Sequence, residues 1–324
     1  MKTDQLNNHK SQLYLKILCY AAVYIVWGST YLFIRIAVHT IPPFYVIGLR
    51  FFGGGVFFLL LAWILGRFKR FPTFKEISAS VFLGIFLLLG GNGLVTFAEK
   101  KVDSYIAALI IATTPVVVAF FDWVLNGKKI SILGLSGIVL GVCGVTVLLY
   151  NGQSISMSFT PEVLLILGGL ISWAFATSLG HKIKVFPDVF VNSGIQMTVV
   201  GGGCLFILLF HKPVLSQIIP TITTSSFLGL LYLMLIGSAA FSAYNYLIHH
   251  EPAIRVVSYA FVNPVIATFL GIFIAREKVM PFLVPGIILI LFGLFLMLYG
   301  DILIGKTLLK KKLIDSSKTE KQCY

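Results

Sequence analysis

The sequence predicts an all-α integral membrane protein whose ten transmembrane helices form two inverted five-helix repeats. Three observations lead to this prediction: the composition, the length of the apolar segments, and a match between the two halves of the chain. Of the 324 residues, 58% are hydrophobic and only 11% are charged, and the mean hydropathy is +0.95. Soluble domains carry about 25% charged residues. The composition therefore excludes a soluble enzyme, a secreted disulfide scaffold and a disordered chain.

The apolar residues form ten segments of roughly 20 residues, the length that a helix needs to cross a bilayer. Short polar connections separate the segments, so no soluble domain is inserted between them. The predicted spans are 14–38, 42–65, 77–98, 104–125, 130–150, 162–181, 187–210, 226–248, 253–275 and 279–300.

The positive charges predict the topology, because loops rich in Lys and Arg stay in the cytoplasm. With the N-terminus inside, 18 of the 25 Lys and Arg residues lie on the cytoplasmic side and five lie outside, while Arg35 and Arg50 fall within spans. Both termini are therefore expected in the cytoplasm, as an N-terminal segment (1–13) and a basic tail (306–324). Because the net charge of +13 is spread over these loops, it does not indicate nucleic-acid binding.

An internal repeat is visible when the two halves are overlaid. Residues Ser104–Asn151 match Ala253–Gly300 without a gap, which places Pro115 on Pro264. Further upstream, Trp27 matches Trp173, and the triple glycine that begins at Gly53 matches the one that begins at Gly201. Two copies of one five-helix unit explain these matches.

An odd number of spans in each copy means that the second copy enters the membrane from the opposite side. The predicted repeats cover residues 14–151 and 152–305. Inverted repeats of this kind place a central site that can face each side of the membrane in turn.

One motif of soluble enzymes occurs at residues 300–307, where GDILIGKT fits the phosphate-loop pattern. That loop binds phosphate only between a buried strand and a helix. Here it follows an apolar helix and precedes a lysine-rich tail, so Lys306 is interpreted as an interfacial anchor. The four cysteines form no CxxC pair and no Cys/His cluster of metal spacing. We therefore expect no cofactor and no metal.

Arg50 is the most informative charged residue because it lies well inside the second predicted span. An arginine at this depth is costly and normally faces a bundle interior, a water-filled cavity or an acidic partner. In the functional interpretation, its guanidinium binds a carboxylate or phosphate of the substrate through paired hydrogen bonds. A structural ion pair, or snorkelling to the outer interface, explains the residue equally well.

Carboxylates are scarce at membrane depth. Glu99 closes the third predicted span on the outer side, and Glu277 follows the ninth. Proton-coupled transporters commonly use an Asp, Glu or His inside the membrane, so the lack of one near the midplane favours facilitated or exchange transport. Both residues are candidates for gating or coupling, with an interfacial salt bridge or a helix cap as the structural alternative.

Two prolines in matching spans, Pro115 and Pro264, predict interrupted helices, because a proline inside a helix frees a backbone carbonyl. Interrupted helices at matching positions of two repeats commonly mark a transport site. Uncharged polar residues at membrane depth fit a hydrated cavity beside them, although such residues also join helices together. The polar candidates for substrate binding are Asn92, Thr96, Thr114, Asn245 and Asn263.

Aromatic residues supply candidate walls for this cavity, namely Trp27, Tyr31, Trp173 and Tyr259. Ordinary helix packing or an interfacial aromatic belt is the alternative for each of them. In the fifth span, glycines three and four residues apart form one small-residue face for close contact between helices or protomers. A homodimer is therefore permitted. The glycines of this face are Gly134, Gly137, Gly141 and Gly144.

The chain resembles the EamA family of the drug/metabolite transporter superfamily. The resemblance rests on segments Trp27–Tyr31, Asn92–Glu99 and Ser258–Pro264, of which the last is the most specific. It implies ten helices in two inverted repeats around a central cavity, in the inner membrane of bacteria. Members of the family move amino acids and related metabolites, often outwards. Glu277 matches the Gly-Glu pattern that the family has after the ninth helix, although Arg276 replaces the glycine. The first half departs further, with residues 126–128 where a Glu is common, so no role is assigned to that loop.

The residues and the resemblance together predict a secondary transporter that exports amino-acid-like solutes by alternating access. Arg50 would bind the carboxylate, with the amides, hydroxyls and aromatic rings named above around it. The alternative is import or exchange of a nucleotide-like metabolite such as S-adenosylmethionine, for which aromatic stacking would replace anion capture. A membrane-embedded enzyme or scaffold is a remote alternative, because the sequence lacks a catalytic constellation. The expected partners are a small-molecule substrate and the lipid bilayer.

Overall fold

A computed structural model describes residues 2–99, 101–102, 107, 110–150, 160–210, 215–273 and 281–300. A helix lies within each of the ten predicted spans, which confirms the all-α, ten-helix fold. The helices are α1 (Lys2–Val38), α2 (Pro43–Ile64), α3 (Phe74–Ala98), α4 (Thr114–Asn126), α5 (Ile132–Leu149), α6 (Pro161–Gly180), α7 (Val189–Leu208), α8 (Thr224–His250), α9 (Ala253–Val256 and Tyr259–Phe273) and α10 (Leu283–Gly300).

Eight of these helices are long and apolar enough to cross a membrane, and α4 and α5 are shorter apolar helices. Helix α1 differs from its prediction, because it begins at Lys2 rather than at residue 14. The polar residues before residue 14 continue the helix, and a prediction based on apolar length cannot detect such an extension.

Polar residues set where several helices begin. The side chain of Thr73 accepts a hydrogen bond from the backbone of Glu76, whose carboxylate accepts one from the backbone of Thr73. Such a capping box satisfies two backbone donors that the first turn of a helix leaves free. Ser131 caps α5 through a single hydrogen bond of the same kind. Gly127, at φ 63°, ends α4 in the left-handed conformation that glycine adopts without strain.

Helices α3 and α8 contain π-helical segments, at Ile85–Gly93 and Leu233–Gly237. The two helices are the third of each repeat, so the same irregularity occurs in both halves of the molecule. A π-helical segment turns the following side chains relative to a regular α-helix, and it is frequent at functional sites. Hydrophobic periodicity over such short segments does not reveal them.

The packing of the helices follows the repeat. Helix α1 packs against α8 and α9, and its counterpart α6 packs against α3 and α4. Helices α2 and α7 lie along each other, where a Cβ atom on Gly201 would lie 2.1 Å from the backbone nitrogen of Phe52. Helices α5 and α10 approach as closely, because a Cβ on Gly137 would lie 2.5 Å from the nitrogen of Met297. The glycine face predicted for α5 thus packs against α10.

Candidate substrate cavity

A cavity lies between α1, α3, α4, α6 and α9, which come from both repeats. It encloses about 610 Å³, part of it open to the surroundings. It extends from the middle of the bundle towards the ends of α1 and α3 at Val38 and Ala98. Its lining residues are Trp27, Thr30, Tyr31, Ile34, Gly91, Asn92, Val95, Ile111, Thr114, Gly169, Leu170, Trp173, Tyr259 and Asn263.

Four aromatic rings close the inner end of the cavity and form what we call the aromatic floor: Trp27, Trp173, Tyr244 and Tyr259. The ring centroids of Trp27 lie 5.3 Å from Trp173, 4.9 Å from Tyr244 and 4.9 Å from Tyr259. Tilted and edge-to-face contacts at these separations are favourable for aromatic pairs. Because Trp27 and Trp173 are counterparts in the repeat, the floor lies where the two halves of the molecule meet.

Two amides bring hydrogen-bonding groups into the cavity wall. Asn92 follows Gly90 and Gly91 in the π-helical segment of α3, and Oδ1 of Asn92 accepts a hydrogen bond from Arg50. Asn263 can donate to the backbone oxygens of Tyr24 and Tyr259, at 3.2 and 3.1 Å. Its side chain is also hydrogen-bonded to the hydroxyl of Tyr31.

Two threonine hydroxyls complete the polar lining. Thr30 donates to the backbone oxygen of Trp27 at 2.8 Å, and Thr114 donates to that of Ile111. Each hydroxyl oxygen therefore keeps its acceptor capacity for another group. None of the described lining residues carries a charge. The cavity is thus aromatic and apolar, with a few convergent amides and hydroxyls, as is usual for small-molecule sites.

Arg50 lies behind the cavity wall rather than in it. It is only 4% exposed, and its Nη1 donates to Oδ1 of Asn92 at 3.3 Å. Its Nε is buried and has no hydrogen-bond partner among the described residues. On the side of α8, a Cβ added to Gly237 would lie 3.3 Å from Nη2, so the glycine leaves room for the guanidinium. Both π-helical segments therefore contact Arg50.

Glu99 is the acidic group whose charge acts on Arg50. Both carboxylate oxygens are buried, and neither has a hydrogen-bond partner in the part of the chain that the structure describes. The charges of Arg50 and Arg35 both act on this carboxylate. Glu99 and Arg50 are not within salt-bridge distance of each other in the described structure. The two groups are thus both buried without forming an ion pair with each other.

The remaining predicted residues lie away from the cavity or at its border. The hydroxyl of Thr96 donates to the backbone oxygen of Asn92 at 2.8 Å, within α3. Asn245 is fully buried and donates to Ser193 and Gln196 on α7, at 2.9 and 3.1 Å. In the structure, seven of the ten predicted binding residues line the cavity. The other three, Arg50, Thr96 and Asn245, lie outside its lining.

The two prolines occupy different local structures. Pro115 lies in the first turn of α4, directly after a break at Ala112–Thr113. Pro264 lies inside a continuous helical segment of α9, whose break is earlier, at Val257–Ser258. Glu277 lies outside the described residues.

The predicted binding residues did not include Tyr244, Thr30 or Gly169. Tyr244 belongs to the aromatic floor although only its neighbour Asn245 was predicted as a binding residue. Gly169 lets α6 approach α3, because a Cβ there would lie 2.9 Å from the backbone oxygen of Gly91. The repeat could have indicated Gly169, since it lies one turn before Trp173.

Ten helices in two repeats around a cavity shared by both halves define a polytopic membrane transporter. The EamA-like transporter family matches the chain over residues 15–150 and again over residues 160–299. The chain belongs to this family. The two matched regions together cover most of the described helices.

Several curated proteins are similar over most of their length. The uncharacterized inner membrane transporter YedA of Escherichia coli is 37% identical over 253 residues, which cover 77% of this chain and 79% of YedA. An uncharacterized transporter of Buchnera aphidicola is 26% identical, over 82% of this chain and 87% of its own. One solved crystal structure superposes with a TM-score of 0.68 at 19% identity, covering 88% of this chain and 97% of that chain, which shows the shared fold alone.

Proposed function

We propose that this protein is a secondary transporter of the bacterial inner membrane that exports a small amino-acid-like solute by alternating access. The observation that carries the proposal is the cavity at the meeting point of two inverted repeats, with an aromatic floor and an amide backed by a buried arginine. The name of the similar YedA, an inner membrane transporter, supports the location.

The two ends of the cavity suit the two charges of a zwitterion. An ammonium group within about 6 Å of an aromatic face is attracted by the ring electrons, which the aromatic floor would supply. At the wall, the amide of Asn92 would bind the carboxylate. Arg50, directly behind Asn92, would add the attraction of a cation in a medium of low dielectric constant. Rotation of the Asn92 side chain would let the guanidinium contact the carboxylate directly.

A nucleotide-like solute such as S-adenosylmethionine is the second candidate, and the aromatic floor is the observation that favours it. A purine would stack on Trp27 or Trp173, and a sulfonium would be bound by the same rings. Such a solute gains less from Arg50 than an amino acid does. Replacement of Arg50 by Ala therefore separates the two candidates.

The first experiment is thermal stabilisation of the purified protein by amino acids, polyamines, nucleosides and S-adenosylmethionine. A ligand that binds only the folded state raises the melting temperature, by an amount that grows with its concentration relative to Kd. We expect stabilisation by amino acids, followed by flux of the same solute in proteoliposomes of known orientation. Stabilisation by purine or sulfonium compounds alone would replace the lead proposal with the second candidate. No stabilisation and no flux for any amino acid would contradict the amino-acid proposal.

A further inference from the structure

Some residues that line the cavity at one end of the molecule have repeat counterparts that are fully buried at the other end. The alignment that pairs Trp27 with Trp173 also pairs Tyr31 with Thr177, and the alignment of Ser104 with Ala253, continued backwards, pairs Val95 with Tyr244. Tyr31 and Val95 line the cavity.

Their counterparts Thr177 and Tyr244 are both 0% exposed, and their hydroxyls are hydrogen-bonded to each other. The bond joins α6 to α8 across the side of the aromatic floor that faces away from the cavity. The hydroxyl of Thr177 also bonds to the backbone oxygen of Trp173 at 2.7 Å. The hydrogen-bonded pair Thr177–Tyr244 is thus buried at positions whose repeat counterparts, Tyr31 and Val95, line the cavity.

A second hydroxyl pair closes the same end of the bundle. The hydroxyls of Tyr24 on α1 and Ser258 on α9 are hydrogen-bonded. Tyr24 is the counterpart of Leu170, which lines the cavity. Ser258 lies in the break of α9 at Val257–Ser258, where the backbone does not continue the helix.

Other lining residues map onto lining residues when the halves are exchanged. Trp27 maps onto Trp173, and Thr114 maps onto Asn263, and all four line the cavity. These residues therefore stay central whichever half of the molecule opens. Tyr31 and Val95 would instead be exchanged for Thr177 and Tyr244.

We propose that the hydroxyls of Thr177 and Tyr244 form a second subsite for the transported solute, reached from the side of the membrane opposite to the cavity. This proposal rests on the transport function proposed above. Both hydroxyl oxygens accept hydrogen bonds, so the subsite would bind the ammonium or another donor group of the solute. It has no counterpart to Arg50, because Thr198 stands at the position that matches Arg50 in the repeat. A carboxylate would therefore bind more weakly there than at Asn92.

Cysteine accessibility tests this subsite without any transported solute. The four native cysteines, Cys19, Cys143, Cys204 and Cys323, are first replaced by Ala. The variants Tyr31→Cys and Thr177→Cys are then made in this background and reconstituted into liposomes. Each is treated from either side with a cationic methanethiosulfonate reagent that does not cross the membrane. We expect the two variants to react from opposite sides. For Thr177→Cys, the rate from its own side should exceed that from the cavity side by at least about tenfold, since each state is open to one side only.

The variant Ser193→Cys is the control for a fully buried position outside the pathway, and it should react from neither side. Thermal unfolding of each variant establishes that it is folded before labelling. Reaction of Thr177→Cys from the same side as Tyr31→Cys would overturn the proposal. A folded Thr177→Cys variant that reacts from neither side would overturn it as well. Neither result would contradict the proposed transport function, which the stabilisation and flux experiments test separately.

Discussion

Two buried polar clusters in the same helix bundle differ in the charge that they bury and in the number of hydrogen bonds that they make. The first is Arg50 with Asn92, joined by one bond of 3.3 Å while Nε of Arg50 has no described partner. The second, here called the amide network, links α3, α7 and α8 through four hydrogen bonds between 2.7 and 3.3 Å. Its members are Ser80, Asn192, Ser193, Gln196 and Asn245.

The difference separates a binding role from a structural one. The neutral amides of the network recover much of the cost of their burial through these hydrogen bonds, while Nδ2 of Asn192 and Oδ1 of Asn245 have no partner among the described residues. A buried guanidinium that makes a single hydrogen bond recovers little of its desolvation cost. We infer that the amide network holds α7 and α8 together, whereas the guanidinium of Arg50 serves to attract an anionic group that enters the cavity.

The strongest test of this contrast is the replacement Arg50→Met, which keeps most of the side-chain volume and removes the charge. Loss of a buried partner for a carboxylate costs about 2–5 kcal/mol of binding free energy. That corresponds to a loss of amino-acid affinity of roughly 30-fold or more. Stability should stay the same or rise, because burial of the charge no longer costs free energy. Flux in proteoliposomes and the heat-unfolding midpoint measure the two effects.

The matched control is Arg67→Met, since Arg67 is an exposed arginine just after the end of α2, the helix that carries Arg50. It should leave amino-acid flux unchanged. If Arg50→Met lowered the unfolding midpoint and spared flux, the assignment of roles would be reversed.

The next effect concerns the amide network, through Gln196→Leu. This change removes one hydrogen bond to Asn192 and one to Asn245, which leaves a buried acceptor and donor short of partners. We expect a loss of about 1–3 kcal/mol in the free energy of unfolding. Flux per folded molecule should be unchanged. The control is Val199→Leu on the same helix, where the side chain is 43% exposed. A similar loss of stability in this control would show that α7 is sensitive to any substitution, and the effect of Gln196→Leu could not then be assigned to the amide network.

The sequence predicted ten helices because their apolar length, charge distribution and repeat are properties of the chain itself. It predicted Trp27, Trp173, Thr114 and Asn263 in one place because equivalent positions of two inverted repeats meet at the centre. It could not distinguish Tyr244 from Asn245, since successive side chains on a helix point about 100° apart. Which of the two packs against Trp27 depends on how α8 is rotated in the bundle.

The π-helical segments are the second feature that the sequence did not indicate. They bring Asn92 and Gly237 to opposite sides of Arg50. Whether they form depends on the tertiary contacts of α3 and α8. A short apolar segment such as Leu233–Gly237 could equally belong to an α-helix or a π-helix, so its composition does not distinguish the two. The role of Gly237 could be found only from the folded structure.

Gly237→Ala sharpens the comparison by displacing Arg50 without removing it. The new Cβ would lie 3.3 Å from Nη2, so the guanidinium must shift by a few tenths of an ångström. We expect amino-acid affinity to fall by about three- to tenfold, the equivalent of roughly 0.7–1.4 kcal/mol. The control is Gly203→Ala, because nothing lies within 4 Å of its added Cβ. Both changes gain helix propensity, so an equal loss of affinity in the two variants would exclude an effect through Arg50.

The smallest effect is expected for Ser193→Ala at the edge of the amide network. Ser193 accepts one hydrogen bond from Asn245, whose Nδ2 keeps its second bond, to Gln196. Loss of a single neutral hydrogen bond should lower the free energy of unfolding by about 0.5–1.5 kcal/mol. The value should be smaller than for Gln196→Leu, because one hydrogen bond is lost instead of two. Heat unfolding of both variants and of their combination measures the difference. If the two losses simply added, the residues would act independently, and the four hydrogen bonds would not form one network.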